Sequence, residues 1–488
     1  MNGLLVLPIL LPVAGGALLP LLRGRSRKVR CIYMEAVVTL NSLLILLLLI
    51  VHPDTYFMAL NLAGALAVTF HLDGLSRIFI GLIAFLWPFA TLYAFEYMKE
   101  EKSQTSFFAF YIMTYGITAG IALADNLMTL YMFYEMLTLV TVPLVIHKKD
   151  PKSIQAGYKY IRYSIAGAAM AFIGFIFIMT YGDTISFQYG GVLNMEKAAG
   201  RRDLLLVVYL LAAMGFGVKA AVFPASGWLP TASVAHTPVT ALLHAVAVVN
   251  AGAYAIARLT YYSFGADFLR GSWAQTVLIA LAAFTIVYGS VRAVKQQHLK
   301  RRLAYSTISN LSYILLGLAM MSPAGMLGGI SHMIFHSFMK ISLFLCAGAI
   351  MHQTGREYVQ EIHGIGHTMP FVMGCFTVGA VAMLGIPPLP GFLSKWNLAQ
   401  AALGGQTVMG IVGTVALLIS AILTAVYLLS VVVRAYYCPA SSEQAYFAKD
   451  PNWQMKVPLL CFTAATILLG VTSGPLLDFV SAVSRGLL

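Results

Sequence analysis

The stretch Leu327–Cys346, LGGISHMIFHSFMKISLFLC, places His332, His336 and Lys340 four positions apart in an otherwise apolar run. On a helix that spacing aligns three proton-carrying side chains on one face. Each ionisable group at mid-bilayer costs about 2.5–3.5 kcal/mol on insertion scales, so a row of them points to a proton or ion path more than to scaffolding. A satisfied core histidine would explain one such residue, not three in register.

Working outward, the chain has 488 residues, 59% hydrophobic and 10% charged, which reads as an all-α integral membrane protein with no sizeable soluble domain. Fourteen apolar stretches approach the roughly 20 residues a helix needs to cross a bilayer. They group as 1–95 (three spans), 106–261 (five spans), 274–434 (five spans) and 457–483 (the last). The polar loops near 182–203 and 435–456 are too short to be domains. A β-barrel is excluded because the apolar runs are long and lack period-two alternation.

The first span starts almost at Met1 without a basic leader and is followed by Arg23, Arg25, Arg27, Lys28 and Arg30, the pattern of a retained helix. Basic residues, among them Lys148, Lys149, Lys152, Lys295, Lys300, Arg301 and Arg302, concentrate after odd-numbered spans. The expectation is a multi-pass protein of the inner (plasma) membrane with both termini on the non-cytoplasmic side. Net charge +13 sits in short loops beside spans, so anionic lipid accounts for it and no nucleic-acid partner is expected. Cys31, Cys346, Cys375, Cys438 and Cys461 form no C-x-x-C pair, and no metal or cofactor is expected.

Span seven contains GVKAAVFPASGWLP (217–230) and span twelve GIPPLPGFLSKW (385–396). Pro removes a helix donor and Gly loosens the turn, so both helices should break in or near the membrane. Paired interruptions in two halves point to inverted repeats around a transport site, here spans four to eight and nine to thirteen. Four further ionisable residues lie deep in apolar sequence: Glu135 in LYMFYEMLTLVTVPLVI (130–146), Lys219, His244 in ALLHAVAVV (241–249), and Lys395. Glu135 is expected to pair with Lys219. A structural ion pair between two helices would explain those two, but not the further lysines and histidines. Histidine, with an unperturbed pKa of about 6.5, suits proton relay, and desolvation brings lysine into a usable range. Asp73, Arg77, Lys159 and Arg258 lie nearer span ends and are expected to snorkel.

Together, GVKAAVFPASGWLP, HTPVTALLHAVAVVNAGAY, HLKRRLAYSTISNLSYI, HMIFHSFMKISLFLCAGAI and IPPLPGFLSKW resemble the antiporter-like subunits shared by respiratory complex I, membrane-bound hydrogenases and Mrp-type Na+/H+ antiporters. The resemblance covers nearly the whole chain. It implies fourteen helices with inverted repeats, and a translocation set on Glu135, Lys219, His244, His332 or His336 with Lys340, and Lys395. It also implies partner membrane subunits and protons as cargo, with sodium open. Two positions depart from the family: Asn250 stands where some relatives carry a lysine, and His298 where the family usually has an acid. Two alternatives remain at this point. A haem-binding cytochrome would explain the histidines but not the lysines, and a self-sufficient secondary transporter would need no partner subunits.

Overall fold

The structure, a computed structural model, describes residues 2–51, 56–63, 66–439 and 448–488. The expected loop 435–456 thus lies partly outside the described residues. The helices are α1 (Leu7–Leu18), α2 (Arg27–Val51), α3 (Gly74–Tyr97), α4 (Gln104–Leu123), α5 (Leu127–Val145), α6 (Pro151–Tyr181), α7 (Arg202–Gly217), α8 (Trp228–Ala232), α9 (Thr237–Ala245) and α10 (Val248–Ala257). They continue with α11 (Ala266–Leu269), α12 (Trp273–Lys295), α13 (Leu299–Ala319), α14 (Pro323–Thr354), α15 (Ile365–Thr368), α16 (Pro370–Leu384), α17 (Pro390–Gly404), α18 (Val408–Tyr437), α19 (Trp453–Val471) and α20 (Gly474–Ser484). Eleven helices among the described residues are long and apolar enough to cross a membrane.

Helix starts follow local chemistry. The side chains of Asp73, Asn126, Asp150 and Ser322 each accept the backbone N–H three residues on, at 2.8, 2.7, 2.6 and 3.1 Å. That satisfies one of the donors a helix N-terminus leaves open. Pro opens α6, α14, α16 and α17, where its missing N–H costs nothing.

The fold is not wholly helical. Strands β1 (Phe57–Ala63) and β2 (Leu66–Phe70) pair antiparallel with Phe57 opposite Phe70. The hairpin seats on the start of α5: Asn126 donates to the Ala67 carbonyl at 2.8 Å, and Thr129 Oγ1 accepts from Thr69 N at 2.9 Å. Leu488 packs against Gly74 beside this hairpin, and the N-terminal turn touches β1, so both chain ends adjoin the hairpin face. The opposite face joins the basic loops, with an isolated bridge between His298 and Tyr358 and Gly364 N donating to the Arg434 carbonyl.

Two expectations change. Lys300 and Arg302 are buried in the first turn of α13 and are not loop residues. Arg258 does not snorkel: it is 1% exposed, donates to Asp73 Oδ1 at 2.6 Å and to the Tyr254 hydroxyl at 3.0 Å, and its guanidinium lies 4.6 Å from the Tyr262 ring centroid. This pair ties α3 to the end of α10. Removing one partner leaves a buried charge unpaired, a loss of about 3–5 kcal/mol. Asp73→Asn should therefore lower the thermal midpoint of the purified protein, and adding Arg258→Met should recover much of the loss. An unchanged midpoint in the single variant would show that the pair contributes no stability.

Candidate functional site

Both expected interruptions are present. After α7 the chain leaves the helix at Val218, turns through a positive φ at Ala221 and resumes at α8. The freed backbone groups find partners: Trp228 Nε1 donates to the Val218 carbonyl at 2.7 Å, and Phe223 N to Thr285 Oγ1 at 3.2 Å. Between α16 and α17, Gly385 takes the left-handed conformation that ends a helix.

A third break separates α9 from α10. Both Val246 N and Ala247 N turn back to the Leu242 carbonyl, and Asn250 Nδ2 donates to the Ala245 carbonyl at 2.8 Å. AVAVV contains neither Gly nor Pro, so the break had no sequence signal, and the residue that repairs it is the Asn250 singled out as a departure. Asn250 Nδ2 also reaches Ser337 Oγ on α14 at 2.7 Å.

Lys219 sits within the first break, fully buried. Its ammonium donates to the Tyr134 carbonyl and lies 3.4 Å from the centroid of the Tyr134 ring. Glu135 is the next residue of α5, half-buried, with Oε1 enclosed and unpartnered. The expected pairing changes accordingly: among the described residues no ion pair within 4.0 Å joins Glu135 to Lys219. The four-carbon stem carries the ammonium onto a carbonyl and an aromatic face one residue from the carboxylate. The close packing depends on Gly252, where a Cβ would come 2.5 Å from Ala220 N and 3.0 Å from Lys219 C. Gly252→Ala should cost about 1–3 kcal/mol through overpacking and displace the Lys219 turn. A thermal midpoint equal to wild type would contradict this.

On α14, His332, His336 and Lys340 are fully buried on one face, as the spacing predicts. Lys340 donates to Ser306 Oγ at 2.6 Å and to the Leu303 carbonyl at 3.2 Å. One turn further along α13, Asn310 Nδ2 donates to the Ser306 carbonyl at 2.7 Å, which leaves Asn310 Oδ1 to meet His332 Nε2 at 3.2 Å. With Nε2 as the donor, His332 Nδ1 is free to accept from Ser394 Oγ at 2.9 Å. Ser394 adjoins Lys395, whose ammonium donates to the carbonyls of Met383 and Leu384 at 2.7 and 3.0 Å. A cation on the exposed carbonyl end of α16 is well placed against the helix dipole. A hydrogen-bonded line thus runs from Lys340 through α13 to the break carrying Lys395.

His336 stacks on His332 with ring centroids 6.0 Å apart, and neither of its nitrogens has a partner among the described residues. His244 lies against the Phe344 ring at 4.7 Å, with Nε2 3.5 Å from Ser233 Oγ and Nδ1 unpartnered. All seven expected residues are therefore buried or half-buried. His332 and Lys340 on α14 are linked through α13 and reach Lys395 by way of its neighbour Ser394, whereas His336 stands beside His332 without a hydrogen bond, and His244, like Glu135 with Lys219, lies outside this line.

The sequence reading missed Ser306, Asn310 and Ser394, small polar residues that acquire meaning only beside a buried ammonium or imidazole. It also missed a cavity of about 600 Å³ on the hairpin side, lined by Arg270, Gln275, Ser322, Gln400 and Thr407 among others. Gln400 is five residues along α17 from Lys395, about 7.5 Å at 1.5 Å per residue.

Residues 124–476 match the family described as "NADH:quinone oxidoreductase/Mrp antiporter, TM", and residues 61–108 match "NADH-Ubiquinone oxidoreductase (complex I), chain 5 N-terminus". NADH-quinone oxidoreductase subunit N of Desulforudis audaxviator is 31% identical over 417 residues, covering 82% of this chain and 81% of the relative. A Na(+)/H(+) antiporter protein of Bacillus subtilis is 33% identical over 341 residues, covering 67% of this chain but 42% of that longer relative. Among solved structures, a chain of the Mrp complex from Dietzia sp. DQ12-45-1b superposes with a TM-score of 0.85 at 22% identity, covering 100% of this chain and 97% of that one.

Proposed function

We propose, for a chain that belongs to the NADH:quinone oxidoreductase/Mrp antiporter membrane family, that it is the proton-translocating, antiporter-like subunit of a multisubunit complex and moves protons along Glu135, Lys219, His244, His336, His332, Lys340 and Lys395. The observation that carries this reading is the buried line from Lys340 through Ser306, Asn310, His332 and Ser394 to Lys395. Each link is a hydrogen bond or a covalent connection; the Ser306 carbonyl and the Asn310 carboxamide position the line, and Lys340, His332 and Lys395 are the groups in it that gain and lose a proton.

In this mechanism a conformational change in a neighbouring protein of the complex shifts the charge or position of Glu135, which is half-buried and so within reach of such a change. Lys219, held on the residue next to that carboxylate, then binds its proton less tightly. The proton passes by His244 to the α14 row and leaves from Lys395 toward the cavity at Gln400. The chain thereby supplies a path and no redox chemistry of its own.

The same reading takes the chain as fourteen crossings. The interrupted α7–α8 and α16–α17, together with the polar α13, add to the eleven long helices. Residues 106–261 and 274–434 form the two inverted repeats, supported by the matching breaks. The face of the basic loops is cytoplasmic by charge bias. Cysteines placed at the exposed Arg25 and Gln297 should be labelled from the cytoplasmic side alone. Labelling from the other side would reverse the path.

The test of the function is coupled proton movement by the purified complex in sealed vesicles. Glu135→Gln, which keeps shape and removes charge, should assemble and lose translocation, while Glu135→Asp should retain part of it. Near-normal movement in the Gln variant would remove Glu135 from the mechanism.

A further inference from the structure

His236 belongs to none of the groups used above. It is the N-cap residue of α9 at the basic-loop face, with a side chain 4% exposed. Its Nε2 makes no hydrogen bond among the described residues and lies 3.6 Å from Oε1 of Glu101, a carboxylate 44% exposed on the turn after α3. The ring is walled by His147, Phe107 and Tyr97, with centroids 5.6, 6.0 and 6.2 Å away. Packing against aromatic rings would by itself explain a buried imidazole. It does not explain an open nitrogen aimed at a carboxylate that solvent reaches.

Inward, His236, Thr240 and His244 recur every four residues and so share one face of α9. At 1.5 Å per residue the two histidines are about 12 Å apart along the axis, and the Thr240 hydroxyl on that face donates to the His236 carbonyl at 3.2 Å. The carbonyl of Ala235, adjoining His236, accepts from Lys300 Nζ at 2.8 Å and from Thr240 Oγ1 at 3.2 Å. The charged and titratable groups facing this spot are Glu101 after α3, His147 and Lys148 after α5, and Lys300 on α13, with Glu357 beyond Lys300.

We propose that Glu101 and His236 form the intake of the proton path on the basic-loop face, feeding His244. The Glu101 carboxylate takes a proton from solvent. Its O–H bond breaks as the N–H bond on His236 Nε2 forms, which returns the carboxylate to its charged state. The imidazolium then releases its other ring proton inward to water, which carries it along that face of α9 toward His244 and leaves His236 neutral, and the positive charge of Lys300 beside the Ala235 carbonyl favours that release. Protons are conserved at each transfer and nothing is oxidised or reduced. The intake rests on the relay reading only in needing His244 as its acceptor.

The test uses the intact complex in sealed vesicles and compares Glu101→Gln, His236→Ala and Lys219→Arg with wild type. Glu101→Gln and His236→Ala should each slow proton movement on the order of tenfold with assembly unchanged. Added imidazole should restore the His236→Ala rate in a pH-dependent way and leave Lys219→Arg unrestored. A wild-type rate in both Glu101→Gln and His236→Ala, with Lys219→Arg inactive, would overturn the intake and leave the relay standing. A loss in His236→Ala that imidazole does not touch would mark that ring as structural and overturn its role. Wild-type vesicles that move no protons would overturn both readings. Where His236→Ala fails to assemble, Glu101→Gln decides alone, since its carboxylate lies at the surface.

Discussion

Replacing Lys219 or Lys395 by arginine should leave the complex assembled and reduce ion translocation by roughly a hundredfold, the low end of what a positioned proton-transfer group contributes. The two lysines occupy equivalent settings. Each ammonium lies in a helix break and is held by backbone carbonyls, that of Tyr134 for Lys219 and those of Met383 and Leu384 for Lys395. Arginine can answer the same carbonyls with a positive charge, so a purely electrostatic or structural task would survive the change. It does not release a proton, because its pKa stays above about 12. The measurement is proton uptake into vesicles beside a thermal and size-exclusion check of assembly. Full activity in both variants would show that the lysines are fixed charges, and the relay would fall.

The parts of this site legible in the sequence were those with strong local signals. Four-residue spacing in an apolar run puts His332, His336 and Lys340 on one face whatever packs against it, and Pro and Gly break α7 and α16 by backbone sterics alone. What could not be read depends on packing between distant segments. The break at Val246 arises in a β-branched run without Gly or Pro, and Asn250 repairs it. The hairpin Phe57–Phe70 lay in a stretch assigned to no span. Arg258 sits near a helix end, where snorkelling is the default, yet Asp73 from another helix meets it in the interior. Lys219 was matched to the nearest acid by charge, but its stem reaches the neighbouring carbonyl and ring instead. Sequence gives the inventory of buried charges, and tertiary contacts decide their partners.

Loss of both α14 imidazoles should reduce translocation more than loss of either one, and this is the sharper test of how the row works. His332 is wired at both nitrogens, to Asn310 and to Ser394, whereas His336 has neither nitrogen engaged and stacks 6.0 Å from it. In His336→Ala the line from Lys340 through Ser306 and Asn310 to His332 is intact, so a slower route persists. In His332→Ala that line is cut at its junction with Ser394, but the free His336 ring still stands one turn from Lys340 on the same face of α14. Each single variant should therefore keep part of the rate, with His332→Ala the worse of the two. The double variant leaves no titratable group between Lys340 and Lys395 on α14, and its rate should fall by a further factor on the order of ten. Groups acting strictly in series give a double variant no worse than the worse single, and groups backing one another give a larger loss. A double variant equal to His332→Ala would make His336 a spectator, and wild-type translocation in the double variant, with assembly intact, would remove both histidines from the path.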